Sequence, residues 1–598
     1  RSSLDESHPH WGSNFPLSTL ITIKSLDLDA SRELVTEILQ NVPDLPHDLV
    51  ETVAKNAEGN PFYLEELIKV LIEDGVIVKG QDAWQIVPQR VTQLRVPATL
   101  TGVLQARLDR LPSRESEVLE RAAVIGRTFW DTAVAAIHTE ERAPVLIGGE
   151  EVHSALSALR NKELVFSHQP STFASAEEFI FKHTILREVT YERVLKAKRK
   201  LYHRMAADWL IQQSGERIDE YLGVIAQHYE LAGDTARAVE YLERSAEKSM
   251  RLSAYREALS ASERALANLA ASGDTDLAMR ARLLLTIGGA HLWLTDHATA
   301  TVRFEECIVL ARTVRDRGLE SKALARLGRI GLEQGKFDQA EKHLQGGLAI
   351  AQELNDIDVM AYILAQLGYI CHYQGRYDDA QRYGEQSYEL AKQVGDAIAQ
   401  AFSLNMLAMI SVNNQQFEQA HAYYLQAIEI CKQASDRYGF ARTYNNLSEL
   451  LRVQRKYAES KPYTLEAIRL ARELGNRYTL PIMLINLVYS QVGLGELREA
   501  YASLNEALQL NLENDSLSWV LFSLVGYANI LAAEGKHTSA LQVLGLCIYH
   551  PETNSDTHRD IHIVLDALKK AHADDIEEEL ERGKSLDLNR TVVAALGG

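Results

Sequence analysis

The 598-residue chain is longer than one hydrophobic core usually organises, so several domains or a repeat array are expected. Hydrophobic residues make up 46% of it, as in globular proteins, and its formal net charge of -19 disfavours duplex nucleic acid or an anionic membrane as the main partner, since both require a cationic face. Its cysteines, Cys307, Cys371, Cys431 and Cys547, are too few and too scattered for a disulfide framework and point to a reducing cytoplasm. No apolar run approaches a membrane span, no signal peptide opens the chain, and a start at Arg1 without Met leads us to expect processing or truncation.

In chain order, Asp and Pro as starts and Gly as stops predict helices near 30–40, 47–57, 61–74, 98–111 and 114–125. The third follows an elaborate turn, Glu58-Gly59-Asn60-Pro61, in which Gly permits positive φ, Asn can cap, and Pro suits the first helical turn, where its missing N–H costs nothing. VIVKG and AWQIV, from Val76 and Ala83, read as a short β-hairpin. EEVHSALSALRNKELVFSHQ followed by EEFIFKH gives helix, strand, loop, strand, the order that a winged helix requires. A DNA-reading role for it is weak, because the presumed recognition helix over 150–161 begins with two acids and offers few base-reading side chains. The basic run LKAKRKLYHR interleaves its charges with Leu201 and Met205 at helical spacing and reads as an amphipathic connector.

Further on, a period of forty takes over. Leu327, Leu367, Leu407, Leu447 and Leu487 are spaced by 40 (367 − 327 = 40), with Ile287 and Tyr527 extending the ladder. A small residue follows each after thirteen positions: Ala300, Ala340, Ala380, Ala420, Ser460, Ala500 and Ala540. Turn-like stretches such as EQGKFDQA and AEGKHTSA separate them, so each unit is helix, turn, helix, and buries its face only against the next. Across Leu327-Gly328, Gly335, Phe337, Ala340, Leu344 and Gly347 the pattern resembles a tetratricopeptide repeat in a longer, 40-residue form. The resemblance implies a right-handed α-solenoid, which less regular hairpins carry back to about Tyr221. Cys307 and Cys547 fall at the same small packing position as Ala427 and Ala467, so packing rather than redox chemistry is their expected role.

In such repeats the first helix of each hairpin lines the concave face. Asn405 and Asn445 occupy equivalent positions, as do Asn446 and Asn486, and a spaced amide ladder can grip the backbone of an extended peptide. The segment YNNLSELLRVQRKY resembles the Asn-bearing repeats of kinesin light chains. Arg329, Tyr362, Tyr369, Arg442, Arg452 and Tyr489 are expected on the same face. The alternative for the amides is capping, or bridging between repeats.

RSSLDESHPHW, AEGNPFYLEEL, VPATLTGVLQARLDRLPSRESEVLERAAVIGRTF and FIFKHTILREVTYERVL, in that order, look like the back half of a STAND-type (AAA+) signalling ATPase module, and the tail RGKSLDLNRTVVAALGG resembles the ending of such proteins. The resemblance implies a bacterial multidomain regulator of adenylate/guanylate cyclase, kinase or LuxR type. It divides the chain into the end of the ATPase core and a linker (1–27), a helical lid with its hairpin (28–95), a winged-helix domain and connector (96–215), the solenoid (216–550) and a C-terminal helical cap (551–598). It also implies nucleotide contacts at Arg1, near the γ-phosphate, at the lid turn Gly59 and Pro61, whose ring meets the adenine face, and at His183, which touches the β-phosphate of ADP. No G-x-x-x-x-G-K-[ST] occurs, so this chain by itself is expected to be no enzyme and to hold no cofactor, with ATP or ADP and Mg in the parent protein. HRDIH, with His558 and His562, lacks the glutamate of a zinc protease, and no metal site is expected. The expected partners are a protein or peptide in the groove and the upstream ATPase core, with assembly on activation and neither nucleic acid nor membrane. The alternative is a stand-alone scaffold joining proteins.

Overall fold

The computed structural model describes residues 24–80, 83–91, 99–137, 149–273, 276–571 and 575–597. The chain forms two compact units, Arg1–Asp234 and Thr235–Gly598. The first opens with α1 (Leu28–Ile38), α2 (His47–Asn56) and α3 (Pro61–Glu73), packed through Val35, Leu39, Val53, Leu64, Leu67 and Leu71. Asp27 caps α1, its Oδ1 accepting from the Ala30 amide at 2.8 Å. The hairpin β1 (Ile77–Val78) and β2 (Gln85–Ile86) adds Ile77 to that core, and α4 (Pro88–Val91) follows.

Next come α5 (Leu100–Asp109), α6 (Ser113–Ile125), β3 (Thr128–Trp130), α7 (Asp131–Ala136), α8 (Gly149–Asn161), β4 (Val165–His168) and β5 (Glu178–Phe181). The three strands form an antiparallel sheet in the order β3-β5-β4 that buries Phe129, Phe179 and Phe181. The helix, strand, loop, strand pattern predicted β4 and β5 but not β3, which begins three residues after a helix end and is too short for alternation to register. The unit closes with α9 (Thr184–Arg193), α10 (Lys196–Ser214) and α11 (Leu222–Ala232). Residues 222–232 were expected with the solenoid. They lie in the first unit because α11 packs on α10, where the Tyr229 hydroxyl donates to Asp208 at 2.7 Å and His228 meets His203.

The second unit begins with α12 (Thr235–Arg251) and α13 (Tyr255–Ser272). Seven hairpins follow: α14 (Leu277–Trp293) with α15 (His297–Val314), α16 (Arg317–Glu333) with α17 (Phe337–Leu354), α18 (Ile357–Tyr373) with α19 (Tyr377–Val394), α20 (Ala397–Asn413) with α21 (Phe417–Gln433), α22 (Arg437–Val453) with α23 (Tyr457–Glu473), α24 (Leu480–Gly493) with α25 (Leu497–Glu513), and α26 (Leu517–Ala533) with α27 (His537–Ile548). The expected ladders are its packing surfaces. Every small position from Ala300 to Ala540 is buried, and so is each ladder residue from Ile287 to Leu487. At Gly328 a Cβ would collide with Leu344 of the partner helix, so glycine there sets the approach of the two helices. A second ladder, of aspartates, runs through the repeats. Asp276, Asp316, Asp356, Asp396 and Asp436 each cap the first helix of a hairpin by accepting from the amide three residues on. Within the hairpins one turn residue takes positive φ, and at Thr295, Gln415 and Arg455 it is not glycine.

The solenoid winds far enough for distant repeats to meet. The Trp519 indole donates to the Glu333 carbonyl at 3.3 Å, His297 stacks on Tyr478 with ring centroids 3.6 Å apart, and Trp293 meets Tyr438 edge-on at 5.2 Å. The expected C-terminal cap divides by where its helices pack. α29 (Ile576–Gly583) lies on α27, crossing closely at Gly545 and Gly583, whereas α28 (Ser555–Ala571) runs back over first helices of the hairpins. There Asp556 meets His372 at 3.3 Å, Arg559 donates to Asn413 at 3.0 Å and pairs with Glu449, and Asp560 pairs with Arg452 at 3.1 Å. The last helix, α30, spans Leu588–Leu596.

Candidate functional site

A cavity of about 120 Å³ lies inside the solenoid, lined by side chains of α16, α18, α20, α22, α24 and α26 and of the turn before α24. Its walls are largely aromatic and aliphatic: Tyr369, Tyr373, Phe402, Tyr438, Tyr478 and Trp519, with Met409 and Met483. Three charged residues line it. Two of them neutralise each other, because the Arg329 Nε donates to Glu333 at 2.8 Å while His297 faces the second carboxylate oxygen at 3.0 Å. Burial works against the charge on Glu333, but Arg329 and His297 outweigh it and hold the carboxyl at about 2. The Arg329 guanidinium also lies over Trp293 at 4.7 Å and Tyr438 at 5.5 Å.

The third, Arg442, is different. Its guanidinium lies 4.3 Å from the centre of the Phe402 ring, yet its buried Nε and Nη2 have no hydrogen-bond partner among the described residues. Around the same cavity the Tyr369 hydroxyl, the Gln366 Oε1 and the Thr479 Oγ1 are also buried and unpartnered. Burial pushes the Tyr369 phenol up to about 12, against the opposing field of Arg442. Tyr369 packs on Phe402 with centroids 4.7 Å apart, so Tyr369, Phe402 and Arg442 share one wall.

The residues expected on the concave face thus divide. Arg329, Tyr369, Arg442, Asn445 and Asn446 line the cavity, whereas Asn405, Asn486, Tyr362, Arg452 and Tyr489 do not. The amides form one continuous chain: Asn486 Nδ2 donates to Asn445 at 3.0 Å, Asn445 Nδ2 to Asn446 at 3.1 Å, and Asn446 Nδ2 to Asn405 at 3.4 Å. Asn405 Nδ2 then donates to the Thr443 hydroxyl at 2.8 Å and the Ala401 carbonyl at 2.9 Å. The ladder joins α20, α22 and α24 and uses its donors internally, which is the bridging alternative rather than a clamp awaiting a peptide backbone. Arg452 and Tyr489 lie under α28, the guanidinium pairing with Asp560 and sitting 4.4 Å from the Tyr489 ring centre. Tyr362 carries the Arg326 guanidinium over its ring at 4.7 Å.

In the first unit, Arg1 lies outside the described residues. Gly59 has φ of +72°, its carbonyl accepts from Leu26 at 2.9 Å, and a Cβ would strike the Leu26 backbone. Asn60 caps α3, accepting from Phe62 and Tyr63 at 3.1 and 3.4 Å, and Pro61 is exposed at the first helical position. His183 stands at the start of α9, its ring 3.7 Å from that of Phe62, with Nε2 buried and unpartnered among the described residues. Burial, then the charge of Lys182, lowers its pKa. The two sequence motifs therefore adjoin. The nearby cations are already matched: Lys182 pairs with Glu65 and Glu163 at 2.7 and 3.1 Å, Lys69 with both of these and Glu66, and Arg107 with Glu66 and Glu73.

Tetratricopeptide repeat family models match residues 359–433 and 440–474. The hairpins are tetratricopeptide-type repeats. A model described as anaphase-promoting complex subunit 5 matches residues 240–330 and 321–377, and a domain of unknown function (DUF8739) matches residues 28–83. No curated protein matches the chain. Among solved structures, it is similar to a signal transduction ATPase with numerous domains (STAND) protein with a tetratricopeptide repeat sensor from Pyrococcus horikoshii. The two are 14% identical with a TM-score of 0.54, over 92% of this chain and 76% of the other. A Rap protein complexed with competence and sporulation factor aligns at 12% identity and a TM-score of 0.45, over 60% and 99% of the two chains. At these identities the first likeness bears on fold alone, and the second is too low to carry an argument.

Proposed function

We propose that this chain is the lid and sensor portion of a STAND-type signalling ATPase, in which a protein or peptide bound by the solenoid controls a nucleotide-dependent switch. The observation that carries it is the contact of Phe62, beside the Gly59-Asn60-Pro61 turn, with His183, whose buried Nε2 has no partner among the described residues. The fold likeness to the Pyrococcus STAND protein with its repeat sensor supports it. What these residues offer a nucleotide is limited: an exposed proline ring and one imidazole N–H, since Lys69, Lys182 and Arg107 are matched by carboxylates. The triphosphate cradle and Mg²⁺ belong to a P-loop domain of the parent protein, with Arg1 close to the γ-phosphate. A cyclase, kinase or LuxR-type effector, a cytoplasmic location and assembly on activation belong to the same proposal. A protein partner reaches the region around Arg452 and Tyr489 only by displacing α28.

The test is ADP binding by the parent protein containing its P-loop. Pro61→Ala and His183→Ala should each weaken ADP by about 1 to 2 kcal/mol and raise signalling without a stimulus. Unchanged affinity and unchanged basal signalling in both variants refute the switch. A second reading, a scaffold that only joins proteins, is favoured by one observation: Gly59 is demanded by the Leu26 backbone and Asn60 by the cap, so the turn is explained without nucleotide.

A further inference from the structure

We infer that the cavity inside the solenoid is a binding site for a small organic carboxylate with an apolar or aromatic body, held by Arg442. This deepens the reading of the solenoid as the sensing part and rests on it for its consequence in signalling, though not for the binding itself.

Charge comes first. Arg329 and Glu333 cancel as a pair, so Arg442 is the uncompensated charge among the cavity-lining residues. A guanidinium with buried, unbonded N–H groups carries a desolvation cost that an incoming anion would remove. Geometry selects the anion. Nε and Nη2 form the side-on edge of the guanidinium, two parallel donors that match the two oxygens of one carboxylate. Phe402 covers a face of the guanidinium, so a ligand carboxylate meets the edge rather than the face, with a small shift of the surrounding side chains to reach the buried N–H groups. The Tyr369 hydroxyl is a third unpartnered donor on the same wall, and burial keeps it protonated at neutral pH.

The rest of the wall selects the body. Tyr373, Tyr438, Tyr478, Trp519, Met409 and Met483 present ring faces and thioethers, while Gln366 Oε1 and Thr479 Oγ1 can take one further polar group. Closure selects size. The Trp519–Glu333 and His297–Tyr478 contacts bar an extended chain from running along the inside of the repeats, and α28 covers the stretch around His372, Asn413 and Arg452. A compact molecule fits; a long peptide does not.

The experiment is calorimetric titration of this chain with 3-phenylpropionate, indole-3-acetate and octanoate, each beside its primary amide, and with a short peptide ending in Phe as free acid and as amide. We expect saturable binding of at least one small carboxylate, about tenfold to a hundredfold weaker binding of its amide, and a comparable loss in Arg442→Gln. Arg442→Lys, which keeps the charge but not the side-on edge, should recover only part of the affinity. Circular dichroism and the unfolding midpoint of each variant establish that the fold is kept. Binding of the free-acid peptide in preference to every small acid overturns the small-molecule assignment. Absence of saturable binding across the acids, or equal affinity of wild type and Arg442→Gln, overturns the site. No nucleotide enters the measurement, so loss of the switch reading and loss of this one are separate outcomes.

Discussion

Replacing Asp560 by Ala tests what holds α28 against the repeats. Asp560 is fully buried and its partner Arg452 is 2% exposed, so removing the carboxylate strands a guanidinium whose remaining anion, Glu449, is 3.9 Å away. Breaking a buried pair in this way costs about 3–5 kcal/mol. Against that stands the apolar face of the helix, where Ile561, Val564, Leu565 and Leu568 are all buried. At about 1.5–3 kcal/mol for each side chain, the four contribute roughly 6–12 kcal/mol, an upper range because the undocked segment already hides some surface. The apolar term wins, so the helix should stay docked but open more often. Because a repeat array does not unfold as one unit, native-state hydrogen exchange of residues 555–571 is the suitable assay. We expect exchange there to accelerate by about two to three and a half decades while remaining slower than in an unfolded chain. Unchanged rates would show that the pair stabilises nothing, and complete loss of protection would show that the ionic cluster, not the apolar face, holds the helix.

Two further outcomes follow from groups that the structure buries. Asn405→Ala leaves the Thr443 hydroxyl, the Ala401 carbonyl and the Asn446 amide short of a partner, so urea unfolding should show a loss of about 1–3 kcal/mol with no change in ligand affinity per folded molecule; lower affinity at unchanged stability would return the ladder to a clamp. In the first unit, the His203 and His228 rings meet Nδ1 to Nδ1 at 2.8 Å; burial, His228 and Arg187 depress His203 to about 3, and burial and Arg187 depress His228 to about 4. The unfolded chain takes up protons below about pH 6.5 that the folded rings refuse, so stability is level above that pH and falls toward pH 4, by about 2 kcal/mol per ring at pH 5. Unfolding followed through the stacked Trp130–Trp209 pair should lose this slope in a His203→Gln, His228→Gln double variant, and an identical slope would exclude the pair as its origin.

What could be read from the sequence is what neighbouring residues settle among themselves. The leucine and small-residue ladders recur because each repeat meets the next in the same way, so a forty-residue period, its helices and its turns are written locally. The Asp ladder at 276, 316, 356, 396 and 436 is equally local, since an N-cap and its amide are three residues apart. Arg442, Tyr369, Asn445 and Asn446, expected on an inner face from their offset from the ladder, line the cavity, whereas Asn405, Asn486, Arg452 and Tyr489, at the same offset, do not and are bonded elsewhere. The difference lies in contacts between residues far apart in the chain. Winding accumulates a small rotation at every repeat until Trp519 reaches Glu333, and α28 returns to repeats more than a hundred residues earlier, where Asp560 finds Arg452. No period or spacing encodes either contact, because each depends on the sum of all the rotations between; the tertiary structure alone therefore decided that distant repeats meet across the groove, and that Arg442 lines it with no anion beside it among the described residues.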